Sequence, residues 1–462
     1  MRFEELAPDK RVEFIEKAVA DFRAKELNAA VEPMAYYDTN NPDIAARKKK
    51  YASSIVEEIK GENVMRAIAK ENKFAANEKI ASSFFRDITD SKAQYLAGEG
   101  ADINAVSGAE ADDAVIARVS EVLGDQIKRH GQACLTDALV FRSGYAYMQV
   151  IDGQIRLQYV PHCEVKPYRD RTDALVNVLR YYKRNGCEYA EYHTPAMIYA
   201  FKKEKDGGEW EFEEETPQIQ TVKVYGDGTT EAVEGGKGWS RLPWFELWHN
   251  NDHTSSLTNA AKTMIRCYDI TLSDFANNLI DVQDVFISLK DSYGSGGDWG
   301  EQLELLKNFK VGENVEGVTT FEVPHVAREV LLNMLKADIY AALRGVDVGR
   351  ISGGNLTNTA IRALYSDIDL WADQAEWHIK DWVSDIVKTA ADYMGLTLPP
   401  YKVTLTRRAI FDDVAQMDAL SRQKGVISDK TIYENHPLVT DAQGELDRVN
   451  AQEVDAAYSE GI

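Results

Sequence analysis

Gly349 and Gly354 stand at the G-x-x-x-x-G spacing that lets a glycine-rich loop wrap a phosphate with its backbone N–H groups. That chemistry needs Lys and then Ser or Thr directly after the second glycine, where this chain has Asn355–Leu356. The loop also follows a helical segment rather than a strand, so nucleotide hydrolysis is excluded. Asp367, Asp369 and Asp373 offer carboxylates for a metal. On a helix, positions two apart face different ways, so Asp367 and Asp369 cannot converge and read as solvated acids. His249, Asp252 and His253 mark an irregular loop with too few ligands for zinc and no cysteine placed to help. Neither G-x-S-x-G nor H-E-x-x-H occurs. Cys134, Cys163, Cys187 and Cys267 are widely spaced without a C-x-x-C, and read as buried thiols of a reducing compartment. No catalytic residue, metal or cofactor is expected.

The polar loop around those glycines is the organising stretch. Gly345–Thr359 is rich in Gly, Asn, Ser and Thr, residues that tolerate positive φ or satisfy their own backbone. The spacing of Val330, Leu331, Met334, Leu335, Ile339 and Leu343 predicts a helix over Ala327–Arg344 before it. After it, Ile361, Leu364, Ile368, Trp371, Ala375, Ile379, Trp382, Ile386, Ala390 and Met394 step by three and four with no proline between them. That run predicts one helix roughly 50 Å long, stopped by Gly395 and Pro399–Pro400.

The 462 residues are 44% hydrophobic, enough for a sizeable core in two to four domains. Acidic residues outnumber basic ones by 75 to 53, a net charge of −22, which excludes a general nucleic-acid binder because phosphate contacts need Lys and Arg. Such a surface can surround DNA without gripping it. No apolar run approaches the ~20 residues of a membrane span, and the start (Arg2, Glu4, Glu5) is not a signal peptide.

Along the chain, residues 1–32 read as helix with a stripe of Phe3, Leu6, Val12, Ile15, Ala18 and Phe22. Tyr36–Ile44 is a turn-rich break, and the basic cluster Arg47–Lys50 reads as a solvated helix face, or as a contact with DNA or a partner. A helix carrying Phe84, Phe85, Ile88, Lys92, Tyr95 and Leu96 ends at Gly98, and two more run through Ala114–Leu123 and Cys134–Phe141. From Gly144 the period changes to two, and Asp152–Gly153 between alternating runs predicts a hairpin. Short strands follow at Val176–Tyr182, Glu188–His193, Met197–Lys203, Glu209–Glu213, Gln218–Val224 and Thr230–Val233, an antiparallel meander closed by Arg241–Trp248. Ser255 or Ser256 is expected to cap a helix over Leu257–Val282, whose other faces carry Asp269, Asp274, Asp281 and Asp284. Phe286–Leu289 and Thr319–Val323 read as strands and Glu301–Leu306 as a short helix. Tyr401–Thr406 reads as a strand and Asp412–Lys424 as a helix, Ser428 caps Asp429–Asn435, and an acidic tail frays from Asp441.

In this order the chain resembles the portal proteins of tailed bacteriophages, in particular siphophage portals of phages with Gram-positive hosts. The resemblance is carried by Tyr36–Tyr37…Asn41–Pro42–Asp43–Ile44, by Asn77–Glu78–Lys79–Ile80…Phe84–Phe85…Asp90–Ser91–Lys92…Tyr95…Gly98, and by Gly144–Tyr147 with Asp152–Gly153 and Val160–Pro161. It continues through Pro243–Glu246, Asn250–Asn251, Tyr268–Asp269…Ser273–Asn277, and Gly425–Ser428…Glu434–Pro437…Asp441…Glu445. Ser352–Gly353–Gly354–Asn355 departs from the family's usual start of the long helix, and the C-terminal part is short.

The resemblance implies an α+β portal-type fold assembled as a ring of about a dozen copies around a central channel at a capsid vertex. It implies a wing (1–254), a stem helix (255–284), a small α/β clip (285–326) and a second stem helix (327–344). A tunnel loop (345–359), a long wing helix and strand (360–411) and a short helical crown and tail (412–462) complete it. Double-stranded DNA would be packaged and ejected through the channel. The terminase large subunit, then head-completion or adaptor proteins, would dock outside, with capsid and scaffolding proteins around the ring and no membrane. Assembly would take place in the host cytoplasm and the product would sit in the virion.

The tunnel-loop residues Asp347, Arg350, Ser352, Gly353, Gly354, Asn355, Thr357 and Asn358 would face DNA. Asp274, Asp281, Lys336 and Asp338 would line the stem, and Trp299 and Glu301 would dock terminase. A net −22 per copy would sum to roughly −260 around such a ring, repelling a duplex from most surfaces. The competing readings are an acidic intracellular enzyme of unknown substrate and a different ring component of a virion.

Overall fold

Pro8 opens the first helix at a position where its missing N–H has no intrahelical partner to lose. The structure is a computed structural model and describes residues 3–48, 50–59, 62–71, 76–106, 109–151, 153–204, 208–224, 230–282, 287–289, 315–318, 325–347, 349, 358–407, 422–423, 426–434, 439 and 444–449. The chain forms two units: 1–345 with 371–407, and 346–370 with 408–462.

In the first unit, α1 (Pro8–Phe22) runs through a single π-helical turn, Arg23–Leu27, into α2 (Asn28–Tyr37). The side chain of Asn41 caps α3 (Pro42–Ala45). Helix therefore ends before the basic cluster. Arg47 lies in an irregular segment and Lys50 opens a hairpin of β1 (Lys50–Ile59) and β2 (Glu62–Glu71), so the cluster is not a helix face. α4 (Phe84–Ala97) ends at Gly98 as its sequence predicts. β3 (Ala101–Ala105) follows. The two expected helices at 114–141 are one, α5 (Glu110–Val140).

β4 (Ser143–Ile151) and β5 (Gln154–Val160) form the predicted hairpin, with Gly153 at φ +76°. Next comes β6 (Val165–Arg169), unread in the sequence, then β7 (Leu175–Arg184), β8 (Cys187–His193), β9 (Met197–Lys203) and β10 (Trp210–Pro217). Those five form an antiparallel meander in sequence order. β11 (Ile219–Val224) and β12 (Thr230–Lys237) pair as a separate hairpin. β13 (Trp244–Trp248) does not close the meander but pairs with β4. The side chains explain the exchange: Trp244 stacks on Tyr147, which a place beside β10 would not allow.

α6 (Asn259–Val282) starts later than predicted. Thr258 Oγ1 accepts the Ala261 N–H, while Ser255 and Ser256 donate to Leu139 and Val140 carbonyls of α5. β14 (Ile287–Leu289) pairs with β15 (Val315–Val318), four residues before the second strand expected there. The helix expected at 301–306 and the strand at 319–323 lie outside the described residues. α7 (His325–Ala342) and α8 (Asn358–Met394) bracket the polar loop. α8 ends at Gly395, φ +66°, and β16 (Tyr401–Leu405) pairs with β3.

Separate apolar clusters help to hold this unit together. Phe3, Ile15, Val19 and Phe22 pack on Leu179, Tyr181, Tyr192, Tyr199 and Phe201 of the meander. Phe85, Ile88, Val140, Leu257, Ala261, Ile265, Ile339 and Leu343 join α4, α5, α6 and α7. Tyr145, Val160, Val165, Val178 and Trp244 join the two sheets.

The second unit holds the start of α8 and α9 (Asp429–Glu434), whose cap is Ser428 Oγ accepting the Thr431 N–H at 3.2 Å. Residues 444–449 are helical, so the tail is not wholly frayed. The helix expected over 412–424 lies almost wholly outside the described residues.

Candidate channel and assembly surfaces

Helices α6 and α7 pack together, the pair that the family layout would use as a stem. One face of α6 is buried although it is polar. Asp269, Ser273 and Asn277, four residues apart, face the extended segment 78–82, which runs antiparallel to the helix. Asn277 brackets Glu78, Ser273 Oγ accepts the Ile80 N–H at 3.0 Å, and Asp269 accepts the Ser82 N–H at 3.0 Å. The register works because four helical residues rise about 6 Å and two extended residues about 6.6 Å. Burial raises the Asp269 carboxyl, and the Ser82 N–H and the Asn41 amide at 2.9 Å hold it against that shift. Sequence reading missed this stripe, placing Asp269 only on the helix faces away from the apolar side. The spacing of four was the available signal.

Of the proposed stem residues, Asp274 pairs with Arg47 at 2.8 Å. Lys336 lies over the Tyr340 ring, 5.8 Å from its centroid, and Asp338 is exposed. The side chain of Asp281 is outside the described residues. In the loop, Asp347 accepts the Gly349 N–H at 3.2 Å, a tight turn that begins the polar stretch. Asn358 is the first residue of α8. Arg350, Ser352, Gly353, Gly354, Asn355 and Thr357 of the loop, and Trp299 and Glu301 of the clip, lie outside the described residues.

α7 turns part of its apolar stripe outward. Ile339 and Leu343 are buried, but Val330 is 53% exposed and Met334 59% exposed, beside Val326 and Leu331. Leu279 and Ile280 of α6 are exposed as well.

The sequence candidates for chemistry do not gather. Asp373 is paired with Arg407 at 2.6 Å, and Asp367 is exposed. His249 is buried and its Nε2 donates to the Thr254 carbonyl at 2.8 Å, while His253 stacks on Trp248 with centroids 3.6 Å apart. Burial, with Lys92 nearby, pushes the His249 imidazole down to about 4. Among the described residues, no three His, Cys, Asp or Glu side chains converge as metal ligands, and no helix is long and apolar enough to cross a membrane. Of the four thiols only Cys134 is fully buried; Cys267 is exposed, since it lies on the side of α6 away from Ala261 and Ile265.

The family described as "Phage portal protein, SPP1 Gp6-like" matches residues 32–458. The chain belongs to this family. Within it, a portal protein of Clostridium phage phiCD119 is 23% identical over 399 residues, 80% of this chain and 83% of that protein. A portal protein of Bacillus phage SPP1 is 25% identical over 404 residues, 81% of this chain and 76% of that protein. Among solved structures, the neck of an empty GTA particle covers 75% of this chain and 87% of its own, at 11% identity and a TM-score of 0.35. The virion of a native gene transfer agent (GTA) particle covers 74% and 82%, at 10% identity and a TM-score of 0.34. The resemblance read from the motifs is therefore the right one, and the matched span contains the α6 ladder, the polar loop and both helices that flank it.

Proposed function

We propose that copies of this chain form a ring of about a dozen subunits at a capsid vertex, through which double-stranded DNA is packaged and ejected. Membership of the portal family carries the reading, and the outward apolar face of α7 supports it. A helix with Val326, Val330, Leu331 and Met334 in water has surface to bury, and a neighbouring copy at a fixed rotation can cover it with a complementary patch, a contact repeated around a closed ring. The net charge of −22 suits a conduit that must not hold its cargo. In this reading α6 and α7 are the stem, residues 285–326 the clip that meets the terminase large subunit through Trp299 and Glu301, and residues 412–462 the crown. Head-completion proteins later take the terminase's place. The chain performs no hydrolysis. Assembly takes place in the host cytoplasm with capsid and scaffolding proteins.

Light scattering and a negatively stained micrograph of the purified protein test the ring. Closed rings are expected; a stable particle of 51.8 kDa at micromolar concentration, both free and recovered from capsids, would overturn it. The clip assignment is tested by pull-down of terminase with a Trp299→Ala, Glu301→Lys ring, which should bind at least tenfold more weakly.

A further inference from the structure

α4 buries Phe85, Ile88, Thr89, Lys92 and Leu96 along one face. An apolar residue belongs at the fourth of these positions, yet Lys92 is there, 3% exposed. Its Nζ lies 4.9 Å from the centroid of the Trp371 ring of α8. It forms no ion pair and no hydrogen bond there. Trp371 is itself buried, and its indole N–H has no acceptor. The charged group that acts on Lys92 is a second cation, Arg344, at the end of α7. His249, also buried, spends its Nε2 proton on Thr254 and has no charge to offer.

Attraction to a ring face is smaller than the cost of taking an ammonium out of water, so Trp371 alone does not balance the burial. The amine shows this: burial first, then Arg344, pushes it down to about 7. A lysine serving only to fill the core would be better replaced by Met or Leu. An ammonium held over a ring, an unpartnered buried indole N–H and a second cation, with no acceptor among them, make a site that lacks an anion.

We propose that Lys92 and the Trp371 indole N–H bind one oxyanion, a phosphate or a carboxylate, with Arg344 adding attraction from the end of α7. The bound charge restores full protonation of Lys92 and ties α4 to α8. The carboxylate form of the ligand is a side chain of a second copy; the phosphate form is free in solution.

The test uses the full chain, titrated with inorganic phosphate or acetate against sodium chloride of matched ionic strength, and follows the thermal midpoint. Both anions should raise it. Lys92→Met and Trp371→Phe should each need at least tenfold more anion for the same rise; Trp371→Phe keeps the ring and carries the test should Lys92→Met fold poorly. If a second copy supplies the ligand, only the dissociated chain responds, and Lys92→Met weakens assembly at least tenfold. If a free anion is the ligand, dissociated and assembled forms respond alike. A response that is absent, or identical in wild type and both variants, overturns the proposal.

Discussion

Asn277 holds Glu78 by both sides of its peptide: Oδ1 accepts the Glu78 N–H at 2.7 Å, and Nδ2 donates to the Glu78 carbonyl at 3.1 Å. The amide thus does for an extended segment what a neighbouring strand would do. Replacing it with Ala removes both bonds and should cost about 1–3 kcal/mol, since each net bond contributes around 1 kcal/mol. Asn277→Asp keeps the acceptor but sets a carboxylate against the Glu78 carbonyl, and should cost at least as much. Urea unfolding with unchanged slope and a lowered midpoint is the expected result.

Asp137 of α5 gives a second prediction, in pH. Its Oδ2 accepts the Tyr159 hydroxyl and the His162 N–H, each at 2.8 Å, but burial raises the carboxyl from 3.8 to about 6. Below pH 3.8 both folded and unfolded chains carry the proton. Between 3.8 and 6 only the folded chain keeps it, so this group makes stability fall as pH rises, by at most about 1.4 kcal/mol per unit. Above 6 the burial cost is fully present. Asp137→Asn retains an acceptor oxygen without the charge. It should flatten the stability profile between pH 4 and 6 and stabilise the protein at pH 7 by on the order of 2 kcal/mol. Denaturant midpoints measured across that range check it.

How legible these features were depends on what each residue has to say locally. The long helix α8 was plain, because Ile368, Trp371, Ala375, Ile379, Trp382 and Ile386 keep one face apolar without interruption. β16 was readable, but its partner β3, Ala101–Ala105, has no β-branched residue except Ile103 and gives no strand signal. α5 was divided because Gly124 and Gly131 weaken helix propensity, although neither breaks a helix on its own. The ladder of Asp269, Ser273 and Asn277 was hidden for a different reason. Polar residues normally face water, and only the approach of residues 78–82, far off in sequence, makes them a buried face. The polar loop was visible as composition.

The α7 face makes a third prediction. Val330 and Met334 are more than half exposed, so charging them should leave the subunit's own core intact. Val330→Glu with Met334→Glu should preserve the circular dichroism and urea midpoint of the isolated chain while lowering ring formation at least tenfold in concentration. Sedimentation velocity distinguishes the two. Intact rings at wild-type concentrations would mean that this face does not meet a neighbour.

For the loop, the prediction separates assembly from DNA transport. In the proposed ring, residues 345–359 point inward and form the constriction, where Gly353 and Gly354 permit bending, Asn355 and Asn358 offer neutral hydrogen bonds to phosphate, and Arg350 one charge. Gly353→Pro with Gly354→Ala, and separately Arg350→Glu, should yield normal rings and procapsids. Packaged DNA, or its retention, should fall severalfold in an in vitro packaging reaction. Wild-type packaging by both variants would remove the loop from the channel.

The last prediction sets two glycines of one neighbourhood against each other. At Gly131, inside α5, an added Cβ would lie 3.7 Å from the Trp382 ring of α8, an ordinary contact. Gly131→Ala therefore gains helix propensity and a little apolar contact without a clash, and should stabilise by about 0.5–1 kcal/mol. At Gly144, in β4, the same atom would stand 1.9 Å from the carbonyl oxygen of Cys134. That neighbour is backbone in the middle of α5 and cannot turn aside. β4 would have to lift off the helix, losing the packing of Tyr145, which is wholly buried and whose hydroxyl donates to Glu246 at 2.9 Å. Gly144→Ala should cost about 3 kcal/mol or more, at the upper end of what overpacking does. Paired thermal scans of the two variants decide the matter: midpoints displaced in opposite directions are expected, and a tolerated Gly144→Ala would mean that β4 does not cross α5 this closely.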